Sequence, residues 1–238
     1  MARRGTPRRF RPWRWIAAAL CVFLVMTAGP VLVLRHLDPP TSAFMLRAKW
    51  QAMRDGREDY RTRYVWLDWD KLSPNAALAV IAAEDQLFPY HAGFDLRAIR
   101  KAWQRNRREG TVRGASTISQ QVAKNLFLWP GKSMFRKGLE AWFTALIEMT
   151  WSKRRTLEVY LNIAQFGDGV YGVPAASTYL LRRAPGSLSA GDAALLAAVL
   201  PNPVRLRAEA PSAYVLDRRA WIMRQMRQLG GVAYLEQL

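Results

Sequence analysis

Apolar positions along the chain form one unbroken block, followed by a series of short helical stripes. Trp15 to Leu34 runs for 20 residues without a charge before Arg35 closes it. At about 1.5 Å per residue the block is ~30 Å long, the thickness of a bilayer's hydrocarbon core. Asp38-Pro39-Pro40-Thr41-Ser42 then reads as a short stiff linker. Ser73-Pro74 sets a cap and a first-turn proline ahead of an apolar run through Ala83, which ends at Glu84-Asp85. Asp95 caps a basic helix to about Glu109, stopped by Gly110. Ser116 or Thr117 opens another, with Ile118, Val122 and Leu126 on one side and Ser116, Gln120 and Lys124 on a second. Further helices are predicted from Ser133 to about Trp151, from Ser152 to about Asn162, and from Ser212 to about Leu229. Ser189 with Asp192 forms a capping box before Ala193–Leu200, and Pro201 and Pro203 end that helix. Only Arg63–Trp69 alternates like a strand. The expected class is mainly α: a tail over 1–14, a transmembrane helix over 15–34, a membrane-proximal linker over 35–60 and one domain over 61–238.

Charge gives this pattern a direction. Residues 1–14 hold six arginines and no acid, and Trp13 and Trp15 stand where an interfacial aromatic belt belongs. By the positive-inside rule the arginine-rich end stays in the cytoplasm and residues 35–238 are exported. A cleaved signal peptide fits less well, because the apolar stretch is long and has no clear A-x-A site. A twin-arginine signal at Arg8-Arg9 fits poorly with the residues after it. The chain of 238 residues is 50% hydrophobic, enough for a sizeable core, so global disorder is excluded. Its net charge of +18 calls for anionic partners, and the excess persists beyond the anchor. Export makes nucleic acid a poor candidate among them. The single cysteine, Cys21, and two histidines, His36 and His91, exclude an internal disulfide and make a multi-histidine zinc site a poor expectation.

Several motif matches fail on context. Gly167-Asp168-Gly169-Val170-Tyr171-Gly172 has the G-x-G-x-x-G spacing but comes after a helical pattern, so a flexible turn is expected there. Gly131-Lys132-Ser133 lacks the earlier glycine of a Walker A loop, and no serine has a lysine three positions later. What remains is an ordered series. Glu84 through Asp95 packs two adjacent carboxylates, His91 and a third carboxylate around a turn. Next along the chain come Gly114 through Asn125, then Arg136-Lys137-Gly138-Leu139-Glu140, then Tyr160-Leu161-Asn162 with the turn around Phe166-Gly167. Singly, each has a bland reading as a solvated face, a surface ion pair or a satisfied turn.

Their order and spacing resemble the family 51 glycosyltransferases, the peptidoglycan polymerases. The resemblance covers roughly Val65 to Pro203. The pattern E-D-x-x-F-x-x-H-x-G-x-D is met from Glu84 to Asp95 without a miss. G-G-S-T-[IL]-[ST]-Q-Q-x-x-K-N is met from Gly114 to Asn125, except that Ala115 replaces the second glycine. R-K-x-x-E is met by Arg136, Lys137 and Glu140. The length, with no transpeptidase domain, is similar to the monofunctional, membrane-anchored enzymes of Gram-negative bacteria.

The resemblance implies a lysozyme-like helical domain with a membrane-associated lobe, placed in the periplasm behind a single inner-membrane anchor. It implies polymerisation of lipid II into β-1,4-linked glycan with inversion and release of undecaprenyl diphosphate. Glu84 is then the general base, and Glu140 the second essential carboxylate, which either binds a divalent cation at the diphosphate or orients the basic residues. Lys124, Lys132, Arg136 and Lys137 are implied to hold the diphosphate, and Ser116, Gln120 and Gln121 sugar or diphosphate oxygens. Asp85, Phe88, His91 and Asn162 support the site's shape. Magnesium or manganese is the implied cation, and no organic cofactor is expected. The implied partners are lipid II, the growing glycan chain, inner-membrane lipids and the wider cell-wall synthesis machinery. Leu139 replaces a basic residue of some relatives. Phe127, Leu128 and Trp129 either pack in the core or dip into the membrane interface. The rival functions are a lytic, lysozyme-type glycan-cleaving enzyme and a non-catalytic membrane scaffold.

Overall fold

The computed structural model describes residues 12–100, 104, 116–131 and 133–238. Helix α1 (Pro12–Leu34) contains the apolar block and is the one helix, among the described residues, long and apolar enough to cross a membrane. The linker ends at Ser42, whose hydroxyl accepts from the Met45 amide and caps α2 (Ala43–Arg54), a helix inside the segment expected to be a linker. Its sequence hides it. Met45 and Ala52 are buried, but Leu46, Trp50 and Met53 are exposed on the opposite side, so no single apolar stripe stands out.

The centre of the domain is α3 (Pro74–Glu84). Every residue from Ala76 to Ala82 is buried, so α3 is apolar all round, as a core helix must be. It packs against α9 (Ala190–Val199), α10 (Ala213–Gln228) and α7 (Lys153–Ile163). A second group joins α5 (Ile118–Phe127) to α6 (Met134–Thr150) and α7. Helix α4 starts at residue 96 and is described to 100, with the Asp95 side chain accepting from the Ala98 amide at 2.8 Å as expected. Gln104 is helical as well, and the other residues of that basic helix, 101–103 and 105–109, lie outside the described residues. The other helix starts agree with the sequence: Thr117, Ser133, Ser152, Ser189 and Ser212 all cap with their hydroxyls. Ser73 differs, because its hydroxyl instead donates to the Leu188 carbonyl and fastens α3 to the segment before α9.

Strands are few and short. β1 (Arg63–Tyr64) runs parallel to β3 (Val170–Tyr171), which pairs antiparallel with β2 (Gln165–Gly167). Beyond Tyr64 the expected strand finds side chains in place of a neighbour. The Asn162 amide brackets Leu67, accepting from its N–H and donating to its carbonyl at 2.9 Å each, and Glu158 accepts from the Trp69 amide. The glycine-rich segment is a tight hairpin and not a flexible turn. Gly169 has φ +72 and Gly172 φ +81, and a Cβ on either would strike the carbonyl of Arg61 or Asn162 respectively. Asp168-Gly169 is the residue pair that two-residue hairpin turns favour, and the short α8 (Gly172–Ala176) follows the hairpin.

Helix α1 is docked on the domain. α1 packs along α6, with Phe23 and Trp142 ring centroids 5.7 Å apart, and the Trp151 indole donates to the Val31 carbonyl at 2.8 Å. Arg155 caps the end of α1 by donating to the carbonyls of Leu34 and Leu37. The three residues after Asn125 and Leu126 divide: Phe127 stacks on Phe143 at 4.6 Å, Leu128 is buried, and only Trp129 is exposed.

Candidate active site

The site forms where the C-terminal end of α3 meets α5, α6, α7 and α10. Glu84 is the last residue of α3, and its side chain is 17% exposed. One of its oxygens accepts from the Gln121 side-chain amide at 3.0 Å. The Gln121 carbonyl in turn accepts from the Tyr160 hydroxyl at 3.1 Å. Tyr160 is wholly buried; burial pushes its pKa well above the ordinary phenol value, with the charge of Glu84 adding to the shift. It therefore stays protonated and fixes the way Gln121 points. Arg218 of α10 places a guanidinium nitrogen 3.6 Å from the other Glu84 oxygen. Its Nε is buried and makes no hydrogen bond among the described residues.

At the other end a second carboxylate is held quite differently. Glu140 on α6 is 3% exposed at its side chain. Arg136 Nη1 donates to one oxygen at 2.8 Å, and Lys137 Nζ makes a short contact with the other. Arg136 Nε also donates to the Gly131 carbonyl at 2.8 Å. The spacings of three and four residues put all three side chains on one helical face. Lys124 lies between the two ends, its ammonium 5.7 Å from the Phe44 ring centre. Burial lowers its pKa from the ordinary lysine value; Glu140 chiefly opposes this, Arg136 adds to it, and Glu84 again opposes it. Both carboxylates thus act electrostatically on one lysine.

The cleft rests on a buried polar network. Asp85 accepts from His91 Nε2 at 2.9 Å and from the Ile118 amide at 3.0 Å, tying the turn after α3 to the first turn of α5. His91 Nδ1 accepts from the Gly93 amide, so the ring proton sits on Nε2 and points at Asp85. Thr117 donates to the Gly93 carbonyl at 2.6 Å. Gly93 has φ +80, and a Cβ there would come within 2.7 Å of Glu148 Cγ. Phe88 is fully buried under the Lys153 ammonium, 4.7 Å from its ring centre.

Of the residues expected from the sequence, Glu84, Gln121, Lys124, Arg136, Lys137 and Glu140 come together in this cleft. Asp85, Phe88 and His91 lie behind it, and Asn162 lies apart, bracketing Leu67. Ser116 is exposed just before the helix. Gln120 is turned inward, where its carbonyl accepts from the Thr117 amide to complete a capping box. The stripe facing the cleft is therefore Gln121 and Lys124, and not Ser116, Gln120 and Lys124. Lys132 and Ala115 lie outside the described residues. Arg218, Tyr160 as the anchor of Gln121, and the Glu148–Lys153 pair at 2.9 Å were not singled out from the sequence. Only Glu148 and Lys153 carried a local sign, a five-residue separation across a capped helix start.

The expected divalent cation finds no ready set of protein donors. Both Glu140 oxygens are engaged by cations. Among the described residues no group of three His, Cys, Asp or Glu side chains stands together to hold an ion. The described residues do not by themselves build a protein-held metal site.

A family model described as Transglycosylase matches residues 51–227, which include Glu84, Gln121, Lys124, Arg136, Lys137, Glu140, Tyr160 and Arg218. The chain belongs to that family. It is 52% identical over 231 residues to the "Biosynthetic peptidoglycan transglycosylase" of Xanthomonas axonopodis pv. citri (strain 306), covering 97% of this chain and 94% of that protein. The protein of the same name from Xylella fastidiosa (strain 9a5c) is 50% identical over 229 residues, covering 96% of this chain and 94% of its own. The mainly helical fold behind one apolar N-terminal helix is the one expected for such a transglycosylase.

Proposed function

We propose that the chain is a peptidoglycan glycosyltransferase that polymerises lipid II, with Glu84 as the general base. The observation that carries this reading is the pairing of unlike ends in one cleft. Glu84 is held by a neutral amide at one end, and Lys124, Arg136 and Lys137 gather around Glu140 at the other. A sugar hydroxyl is a weak nucleophile and needs its proton removed as it attacks. A diphosphate is already a good leaving group and needs its developing charge neutralised.

In this mechanism Glu84 takes the proton from the 4-hydroxyl of the acceptor's GlcNAc. The oxygen attacks the anomeric carbon of the donor chain's MurNAc from the face opposite the leaving group. A β-1,4 bond forms, the bond to undecaprenyl diphosphate breaks, and the electron pair leaves on the diphosphate. Gln121, held by Tyr160, aims the carboxylate. Lys124, Arg136 and Lys137 receive the diphosphate, with Ser116 and Lys132 as the remaining expected contacts. Glu140 orients Arg136 and Lys137. A divalent cation would take its ligands chiefly from the diphosphate itself. The anchor α1 and the arginines before it support a single-pass inner-membrane protein with a periplasmic catalytic domain.

The test is polymerisation of labelled lipid II by the full chain in detergent, beside Glu84→Gln. Polymer from the wild type and none from a folded variant is expected. Cleavage of finished glycan, or no polymer from folded wild type, would overturn the reading in favour of a lytic enzyme or a scaffold.

A further inference from the structure

A cavity of about 460 Å³ opens at the other end of α3 from the cleft. Pro74 and Ala77 of α3 line it, and Glu84 ends the same helix about 10 Å beyond Ala77. Trp69, Leu72 and Leu161 complete its floor, and Val232 and Leu235 form its outer wall. That wall is a 3₁₀ helix, Gly231–Gln237, longer than such helices commonly run. Three residues per turn give it two stripes. Val232, Leu235 and Leu238 repeat along the cavity, while Tyr234 and Gln237 repeat along a second side. There the Tyr234 hydroxyl donates to the Gln86 carbonyl at 2.7 Å. The Tyr234 ring meets Tyr90 edge-on with centroids 6.4 Å apart, and Gln237 contacts the Tyr90 hydroxyl. The wall of the cavity is thus also a brace on the turn that follows Glu84.

From this we propose that the cavity docks a partner polypeptide, which inserts an apolar side chain flanked by basic residues, and that its occupation is transmitted to Glu84 through the 3₁₀ helix. The docking stands independently of the polymerase reading above, and the effect on turnover rests on it. The volume is that of a small-ligand site and takes one large apolar side chain with room for the adjoining backbone. Leu72 and Ala77 on the floor are buried core residues, so an inserted apolar group adds to an existing core surface. Pro74 and Val232 are exposed at the rim, so the ends of a longer chain can pass out to solvent.

Charge selects the occupant. Asp70 accepts from Arg154 at 2.7 Å, and Asp68 from Lys71 at 2.7 Å, so both cations beside the cavity are matched. Arg154 also lies over the Trp69 ring, 5.3 Å from its centre, and extends the flat floor. Glu236 is exposed on the wall and pairs with no cation among the described residues. The mouth therefore carries an uncompensated negative charge on a chain whose net charge is +18. A basic segment is drawn here and repelled by the net charge elsewhere, so the charge fixes where it docks. The transmission follows from the wall. A long 3₁₀ helix has poorer hydrogen-bond geometry than an α-helix, and a filled cavity steadies it. Steadying it holds Gln86, and with it the turn that carries Glu84.

The test uses fluorescently labelled peptides, blocked at both ends, with the cores Lys-Phe-Lys, Lys-Gly-Lys and Glu-Phe-Glu, and the full chain in detergent at about 0.15 M salt. Lys-Phe-Lys should bind at least about tenfold more tightly than Lys-Gly-Lys. It should bind at least about threefold more tightly than Glu-Phe-Glu, against the pull of the net charge. Glu236→Lys should remove the preference for lysine, and Val232→Ser should weaken Lys-Phe-Lys by about two- to fivefold. Both positions are exposed, and thermal unfolding controls for folding. Saturating Lys-Phe-Lys should raise kcat for lipid II coupling by at least about twofold. Tyr234→Phe should abolish that rise and leave the binding intact. Equal binding of the three peptides, tighter binding of Glu-Phe-Glu, or binding that Glu236→Lys leaves unchanged overturns the docking pocket. Binding in the expected order with no change in kcat overturns the transmission to Glu84. If the wild type does not couple lipid II yet binds Lys-Phe-Lys through Glu236, the polymerase reading fails and the pocket stands.

Discussion

Glu84 and Glu140 sit in one cleft, both largely withdrawn from solvent and both acting on Lys124, yet their surroundings are opposite. Among the described residues Glu84 accepts one hydrogen bond, from a neutral amide, and the Arg218 guanidinium stands off at 3.6 Å. Glu140 is clasped by Arg136 and Lys137, one on each oxygen. A carboxylate with an uncommitted lone pair can accept a proton from a substrate. A carboxylate whose oxygens are both bonded to cations holds those cations in place. The difference lies in the neighbours, since the side chains are chemically the same.

This contrast predicts a graded set of losses. Glu84→Gln keeps the shape and removes the base, so kcat should fall by about 10²- to 10⁴-fold with little change in thermal unfolding. A variant that unfolds earlier but retains turnover would reverse the assignment. Glu140→Ala leaves the Arg136 guanidinium buried without its partner, which costs about 3–5 kcal/mol in such pairs. Urea unfolding in detergent should show that loss, and KM for lipid II should rise in parallel. A Glu140→Ala protein as stable as wild type would mean that the clasp is not structural.

Lys124 sharpens the contrast through pH. Its pKa is lowered by burial, so in the folded protein it gives up its proton at lower pH than a free lysine. If the ammonium binds diphosphate, kcat/KM should fall on an alkaline limb beginning below the ordinary lysine pKa of about 10.4. Lys124→Arg should move that limb upward, whatever it does to the maximal rate. A limb that stays in place would assign it to another group. The smallest effect should come from Tyr160→Phe. Removing its bond to Gln121 should cost about 0.5–1.5 kcal/mol in activation free energy, a fall in kcat of up to about tenfold. An effect as large as that of Glu84→Gln would make Tyr160 more than a brace for Gln121.

Much of the helical frame is legible in the chain because helix starts are written locally. A serine or threonine placed before an apolar stripe marks α5, α6, α7, α9 and α10. Helix α2 escapes this logic, since Leu46, Trp50 and Met53 face outward and blur its stripe. The strands escape because two or three residues cannot show an alternation, and because Asn162 and Glu158 supply bonds that a neighbouring strand would otherwise give. In the site, the spacing of the motif residues is visible, but which of two adjacent glutamines faces the cleft is not. Neighbouring helix positions point about 100° apart, and the capping bond of Gln120 to Thr117 decides that Gln121 is the one aimed at Glu84. Arg218 carries no local sign, because it reaches Glu84 from the last long helix of the chain and only the fold makes them neighbours.

Trp151 and Arg155 bind the carbonyls at the end of α1, so this apolar helix meets the domain through a fixed joint. With α1 spanning a bilayer, the joint sets the height and tilt of the cleft over the lipid surface. With the lipid-borne substrate proposed above, the molecule would search in two dimensions, and encounter would depend on the number of molecules per area of membrane. In the proposed polymerisation each new disaccharide would be added at the same level above the lipid, and the strand would be pushed outward from there. Lengthening the linker alone would leave that geometry unchanged, whereas Arg155→Ala, which frees the end of α1, would loosen it.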